Sequence, residues 1–186
     1  MTNGHLRIVE QSKKWLEESL FELMGSKPYE EITIKDITDR SQLSRRTFYR
    51  HFKTKDDLID HYLEHLFSGY EQLLKQQRMI SSEEVIFTFF DYWGKYHAQL
   101  KLLLDNGMFE RVLEKANQWL RNMYGTIHAP WHIAGSPDEI TYASIFGVGG
   151  FFNVLSHWVS KGCPETPQEM TEIVKKVLVS LSVGIV

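Results

Sequence analysis

Between Arg40 and Lys55 the chain carries six Lys or Arg residues and no Asp or Glu, although its 186 residues sum to a formal net charge of −3. The centre of this basic island is Ser44-Arg45-Arg46-Thr47-Phe48-Tyr49-Arg50-His51-Phe52, followed at once by Lys53-Thr54-Lys55. Cations concentrated in an otherwise acidic chain point to a polyanion as partner. An arginine set against guanine contributes about 1–3 kcal/mol of discrimination between bases. Contacts to phosphates supply affinity and a steep salt dependence instead. The chemistry on offer is therefore recognition of a nucleic acid.

The island has to be held by a helix. Ser44 is a good N-cap, and the eight residues after it contain neither Gly nor Pro. Phe48 and Phe52 are four apart and share one face, which is the face expected to pack. Arg45, Arg46, Thr47, Tyr49 and Arg50 fall largely on the remaining surface, with Arg50 near its edge. A helix of this kind laid in a major groove reads base edges from its N-terminal residues. The preceding Thr33-Ile34-Lys35-Asp36 has the form of a capping box, and Ser41-Gln42-Leu43 suits a short turn between two helices. Thr54-Lys55-Asp56-Asp57 has the capping form again. It predicts a further helix whose first-turn amides, with Lys55, could bind a phosphate. An isolated basic run is more often just a solvated face. Here a capped helix, a three-residue turn, a second capped helix and a third helix start occur in register, which favours duplex DNA.

Residues 5–60 resemble the DNA-binding domain of TetR/AcrR-family transcriptional regulators. The likeness runs through Ile32-Thr33-Ile34-Lys35-Asp36-Ile37, Leu43-Ser44 and Thr47-Phe48-Tyr49-Arg50-His51-Phe52-Lys53-Thr54-Lys55-Asp56-Asp57-Leu58. It implies that Arg45, Arg46, Thr47 and Tyr49 face DNA, and that His51, Lys55 and Thr33 reach phosphates. With Ser44 and Arg50, these make the expected contact set. One departure is Gln42, where the family usually has Gly. Gly is preferred where φ is positive, so either Gln42 holds a left-handed conformation or the turn differs slightly. Gly147-Val148-Gly149-Gly150-Phe151-Phe152, His157-Trp158 and Gly162 before Pro167 are similar to a Firmicutes subgroup that includes the dihydroxyacetone-kinase operon regulator DhaS. Some relatives in that subgroup act as partners of another protein.

The length suits one domain or two small ones and is enough to bury a core. Hydrophobic residues at 42% and charged residues at 24% are ordinary for a globular protein. No apolar run reaches the 18 or so residues of a membrane span, and no signal-like segment opens the chain. The single cysteine, Cys163, excludes an internal disulfide framework. Its setting between Gly162 and Pro164 reads as a loop thiol without a role. These features together predict a cytoplasmic protein.

Helix signals recur along the whole chain, so the expected fold is all-α with about nine helices. A first helix over 5–25 carries Val9, Leu16, Leu20 and Leu23, and a long helix from Thr54 carries Leu58, Tyr62 and Leu66. Ser81-Ser82-Glu83-Glu84 starts the next helix. Helices around 98–105 and 108–124 follow, then a loop over 126–135. Ser136-Pro137-Asp138-Glu139 and Thr166-Pro167-Gln168-Glu169 open the last two helices. The expected division is a three-helix DNA-binding domain with a helix-turn-helix over 1–60, then a helical effector-binding and dimerisation domain over 61–186.

The last two helices have enough apolar positions for an inner face and a second one. The resemblance implies that they form a four-helix bundle with the same pair from a second subunit. Phe152, Leu155, Val159, Val174, Val177, Leu178 and Leu181 are the expected interface. Family members commonly bind a small molecule in the body. Trp93, Tyr96, His97, Phe109, Trp119 and Phe152 are the candidates to line such a site, although aromatics at helical spacing are more often plain core. His97, His128, His132 and His157 have no carboxylate or cysteine in a recognised ligand pattern, and Pro130 interrupts the His128/His132 pair, so no metal is expected. No nucleophile motif, phosphate loop or dinucleotide fingerprint appears, which argues against an enzyme; no cofactor is expected. The reading is a homodimeric DNA-binding regulator, most simply a repressor of a palindromic operator, modulated by a small-molecule effector. The alternative is an interaction subunit that works through another protein.

Overall fold

The computed structural model describes residues 3–77, 81–124 and 133–183. Among them are nine α-helices: α1 (Asn3–Met24), α2 (Ile34–Ser41), α3 (Arg45–His51), α4 (Lys55–Gln76), α5 (Ser82–Gly94), α6 (His97–Asp105), α7 (Phe109–Met123), α8 (Pro137–Ser160) and α9 (Pro167–Val183). The fold is all-α, as expected. One turn of 3-10 helix at Tyr29–Glu31, between α1 and α2, had no counterpart in the sequence reading. The loop expected over 126–135, with His128 and His132, lies largely outside the described residues. The chain divides into two compact units after Leu66, within α4.

In the first unit, α1 packs against α2 and α3, and α2 packs against α3. The spacing of apolar residues on α1 delivers Leu16, Leu20, Phe21 and Met24 to the core, where Ile37, Phe48, Phe52, Leu58, Ile59 and Leu63 meet them. Helix starts follow the capping signals. Thr33 Oγ1 accepts from the Asp36 amide while the Asp36 carboxylate accepts from the Thr33 amide. Ser44 Oγ accepts from the Thr47 amide at 3.1 Å.

Three helix ends close in the same way. After α6, the Gly107 amide donates to Leu104 and the Met108 amide to Leu103; after α8, Gly162 donates to Val159 and Cys163 to Trp158. After α2, Gln42 donates to Asp39 and Leu43 to Thr38. This paired closure puts one residue in the left-handed region. After α6 it is Gly107, with φ of +69°; after α8 it is Gly162, with φ of +80°, followed by Cys163 at 54°; and after α2 it is Gln42, with φ of 56°. A side chain there costs energy that glycine does not pay.

The second unit is built around aromatic rings. Phe67 and Tyr70 of α4, Phe89 and Trp93 of α5 and Phe152 of α8 form a continuous cluster, with Phe67–Trp93 centroids at 4.9 Å and Trp93–Phe152 at 5.3 Å. Trp119 of α7 joins it through Tyr70 at 5.3 Å. α8 packs on α5, α6 and α7, while α9 packs on α5.

Gln42→Gly is expected to stabilise the protein by about 0.5–1 kcal/mol, because relief of the left-handed strain exceeds the added chain entropy. Denaturant unfolding measures it, and a loss of stability would show that the Gln42 side chain has a compensating contact.

Candidate nucleic-acid interface

α3 has seven residues, and Phe48 at its centre is completely buried. Phe52, just beyond its end, is 5% exposed and stacks obliquely on Phe48 at 5.8 Å. With that side fixed, Arg45, Arg46, Tyr49 and Arg50 are exposed and Thr47 is half-buried. Ser44, Arg46, Thr47, Tyr49 and Arg50 line one shallow surface depression of about 480 Å³.

The fold sorts the six cations of the basic island into different roles. Arg40 is paired with Glu22 of α1. On α2, outside the island, Lys35 is bound to Asp39 at 2.8 Å. Arg45, Arg46 and Lys53 are exposed and their side chains form no ion pair within 4 Å among the described residues, and the contact of Arg50 is a 3.5 Å approach to His51 Nε2. Unpaired guanidinium groups on one short helix form a surface that an anion neutralises without first breaking an ion pair.

Lys55 departs from expectation. Its ammonium donates to the Glu30 carbonyl at 3.2 Å, the Ile32 carbonyl at 2.9 Å and the Tyr29 carbonyl, and it lies 4.2 Å from the centre of the Tyr29 ring. Every donor of the ammonium is engaged, so Lys55 ties the start of α4 to the 3-10 turn and is not available to a phosphate in this state. The amides of Lys53 and Thr54 are also occupied, both donating to Asp57 Oδ2, at 2.8 and 3.0 Å. Within the first turn of α4 the Asp57 amide donates to Thr54 Oγ1 at 3.1 Å, so the phosphate site expected there is partly occupied by the protein's own groups. Thr33 is exposed but serves the capping box with Asp36, whose carboxyl is held far below the usual range, first by Lys27 and then by Thr33. His51 is half-buried, and burial, followed by the charge of Arg50, lowers its pKa. Both effects favour its uncharged form. Lys53, outside the expected contact set, is exposed directly after this helix.

In the second unit the expected site residues separate. Trp93, Phe109 and Phe152 are buried at 0, 8 and 3% exposure and Trp119 is half-buried, whereas His97 is exposed and bonds the Gly94 carbonyl at 2.9 Å. Tyr96 touches Tyr92, at 5.2 Å between ring centres. The indole nitrogens of Trp93 and Trp119 are buried with no hydrogen-bond partner among the described residues. The Cys163 thiol is pushed up, mainly by burial, which suits an unreactive loop thiol.

The expected interface also needs correction. Phe152, Leu155 and Val159 are 3, 0 and 1% exposed, so they belong to the core of a single chain and have no surface to offer a second. Val174 is half-buried, and Val177, Leu178 and Leu181 are exposed. The apolar residues that α8 does expose are Tyr142, Ile145, Phe146 and Val154.

A short helix presenting unpaired arginines behind a capped helix and a tight turn defines a helix-turn-helix DNA-binding protein. Residues 18–62 match the family described as bacterial regulatory proteins, tetR family, and residues 80–180, more than half of the chain, match a transcriptional regulator C-terminal region. The chain belongs to the TetR family of transcriptional regulators, which are not enzymes. The fold is similar to that of a TetR transcriptional regulator from Streptococcus agalactiae 2603V, at 19% identity and a TM-score of 0.60, covering 90% of this chain and 93% of that one. A protein from Syntrophomonas wolfei str. Goettingen assigned to the TetR family aligns at 17% identity and a TM-score of 0.67, covering 95% and 97%. The dihydroxyacetone kinase operon activator DhaS aligns at 14% identity and a TM-score of 0.60, covering 91% and 95%. No curated protein matches the chain.

Lys55→Met is expected to destabilise the protein by about 2 kcal/mol, since three carbonyls lose a charged donor. The slope of log operator affinity against log salt should stay unchanged. A fall of about 0.9 per lost contact would instead identify Lys55 as a phosphate ligand.

Proposed function

We propose that the chain is a cytoplasmic, homodimeric repressor that reads a palindromic operator, with residues 1–60 as the DNA-binding domain and 61–186 as the effector-binding and dimerisation domain. The observation that carries the DNA reading is the set of unpaired, exposed arginines on α3, beside neighbours whose charges are already neutralised. Arg45, Arg46, Thr47 and Tyr49 contact the major groove, and Ser44, Arg50, His51, Lys53 and Thr33 flank them at the phosphates.

Dimerisation is supported by the exposed apolar side chains of the last two helices, with Tyr142 and Phe146 each 73% exposed and Val177 53%. Gly147, Gly149 and Gly150 lie inside α8, where glycine costs about 1 kcal/mol relative to alanine. A Cβ built at any of them would meet nothing within 4 Å in its own chain. Such open small residues suit the close approach of a second helix. Two dimer-related heads match the two half-sites of a palindrome.

A small-molecule effector is supported by the two buried indole donors, Trp93 and Trp119, inside the aromatic cluster. A buried donor without an acceptor is costly, and an apolar ligand carrying an acceptor for either indole would reduce that cost. Effector binding lowers operator affinity because the two half-sites are no longer engaged together.

The test is enrichment of genomic DNA fragments by the purified protein at about physiological salt, beside Arg46→Ala. A palindrome is expected, with affinity reduced by about 1–3 kcal/mol and relaxed specificity in the variant. Sequence-blind binding by both proteins would shift weight to an interaction subunit acting through another protein. A reporter placed behind the recovered site separates repression from activation, the latter being the role that the name of DhaS states for that protein.

Phe146→Glu is expected to give a monomer in sedimentation and to weaken binding to the full palindrome while leaving half-site binding intact. A Phe146→Glu dimer as stable as the parent would remove α8 from the interface.

A further inference from the structure

His61 and His65 are four residues apart on α4 and so share one helix face. Their rings lie 4.2 Å apart between centres, with planes at 54°. Glu10 of α1 completes the group: its carboxylate and one nitrogen from each histidine all lie within 4.8 Å of one another. Two neutral imidazoles and one carboxylate are the donor set of a three-ligand site with an open fourth position.

A second feature supports a ligand role. Glu17, also on α1, hydrogen-bonds His61 Nδ1 through Oε1 at 2.7 Å, and the two side chains are only 13 and 18% exposed. A carboxylate on one imidazole nitrogen fixes the tautomer and ring orientation and leaves the other nitrogen as a lone-pair donor, the usual arrangement behind a metal-bound histidine. Glu10 and His65 are exposed and free to adjust. Ligand atoms on a tetrahedral zinc ion, each about 2.1 Å from the metal, sit about 3.4 Å apart. Closing from 4.8 Å therefore needs only side-chain rotation. Lys13 competes at Glu10, where its Nζ lies 3.0 Å from Oε1.

We propose that Glu10, His61 and His65 form a site for a divalent transition-metal ion of the zinc class, with Glu17 orienting His61. Imidazole ligands favour such ions over calcium or magnesium. The ion ties the N-terminal part of α1 to α4 within the DNA-binding unit. It lies close behind the recognition helix, because the His61 ring also packs against Phe52, at 5.3 Å between centres. Metal binding at this place is independent of the effector and dimer readings above.

The experiment uses the tag-free full chain and Co²⁺ as a spectroscopic probe, with Zn²⁺ as competitor. One equivalent of Co²⁺ is expected to give visible ligand-field absorption that Zn²⁺ displaces, and Zn²⁺ is expected to raise the melting temperature. His65→Gln and Glu10→Gln change exposed side chains, so both variants fold. Each is expected to weaken binding by about a hundredfold or more, while His157→Gln, at an exposed histidine of the other unit, binds as the parent does. Absence of stoichiometric uptake by the parent protein, or uptake undiminished in His65→Gln and Glu10→Gln, would overturn the proposal.

Discussion

A seven-residue helix has no stability of its own in water, so the DNA-reading surface exists only because Phe48 is anchored. Its ring is completely enclosed by the first unit, and Phe52 extends the anchor beyond the helix end. Full burial of an aromatic side chain contributes about 1.5–3 kcal/mol, which anchors the roughly two turns of this helix. The anchor also fixes rotation about the helix axis. Arg45, Arg46, Tyr49 and Arg50 point outward because Phe48 and Phe52 cannot.

Charge is then distributed by what surrounds each residue. The basic island reads as one feature in sequence, yet Arg40 is neutralised by Glu22 and Lys55 is enclosed by carbonyls. A lysine so placed acts as a cap on the 3-10 turn. The unpaired cations on α3 therefore act from a rigid base, which limits the entropy lost when they meet an anionic partner. The same short segment thus supplies both its own support and its binding surface.

Much of this was legible from local rules. The capping sequences at Thr33, Ser44, Ser81 and Ser136 placed helix starts to within a residue, because a cap is a contact between neighbours in the chain. The role of Lys55 was not legible, since its partners at Tyr29, Glu30 and Ile32 are more than twenty residues away. The inner and outer faces of α8 were not separable either. Apolar residues surround this helix, so spacing alone cannot say that Phe152, Leu155 and Val159 turn inward while Ile145 and Phe146 stay exposed. The grouping of Glu10 with His61 and His65 was not legible for a similar reason. The histidine pair follows from helical spacing, but the carboxylate comes from another helix.

Two local costs remain that packing within one chain does not explain. Gln42 holds a left-handed conformation that glycine fills at the two equivalent helix ends, and α8 carries three glycines whose missing side chains would meet nothing. Sequences tend to violate local preference where another requirement is stronger. Gln42 stands in the turn that sets the recognition helix, where its exposed side chain lies on the same unit as the cationic face. The glycines stand on a helix with exposed apolar neighbours, where a partner's close approach would repay their entropy. Both costs fall on exposed faces, beside the cationic helix and along the apolar surface of α8, where a contact from outside the chain can offset them.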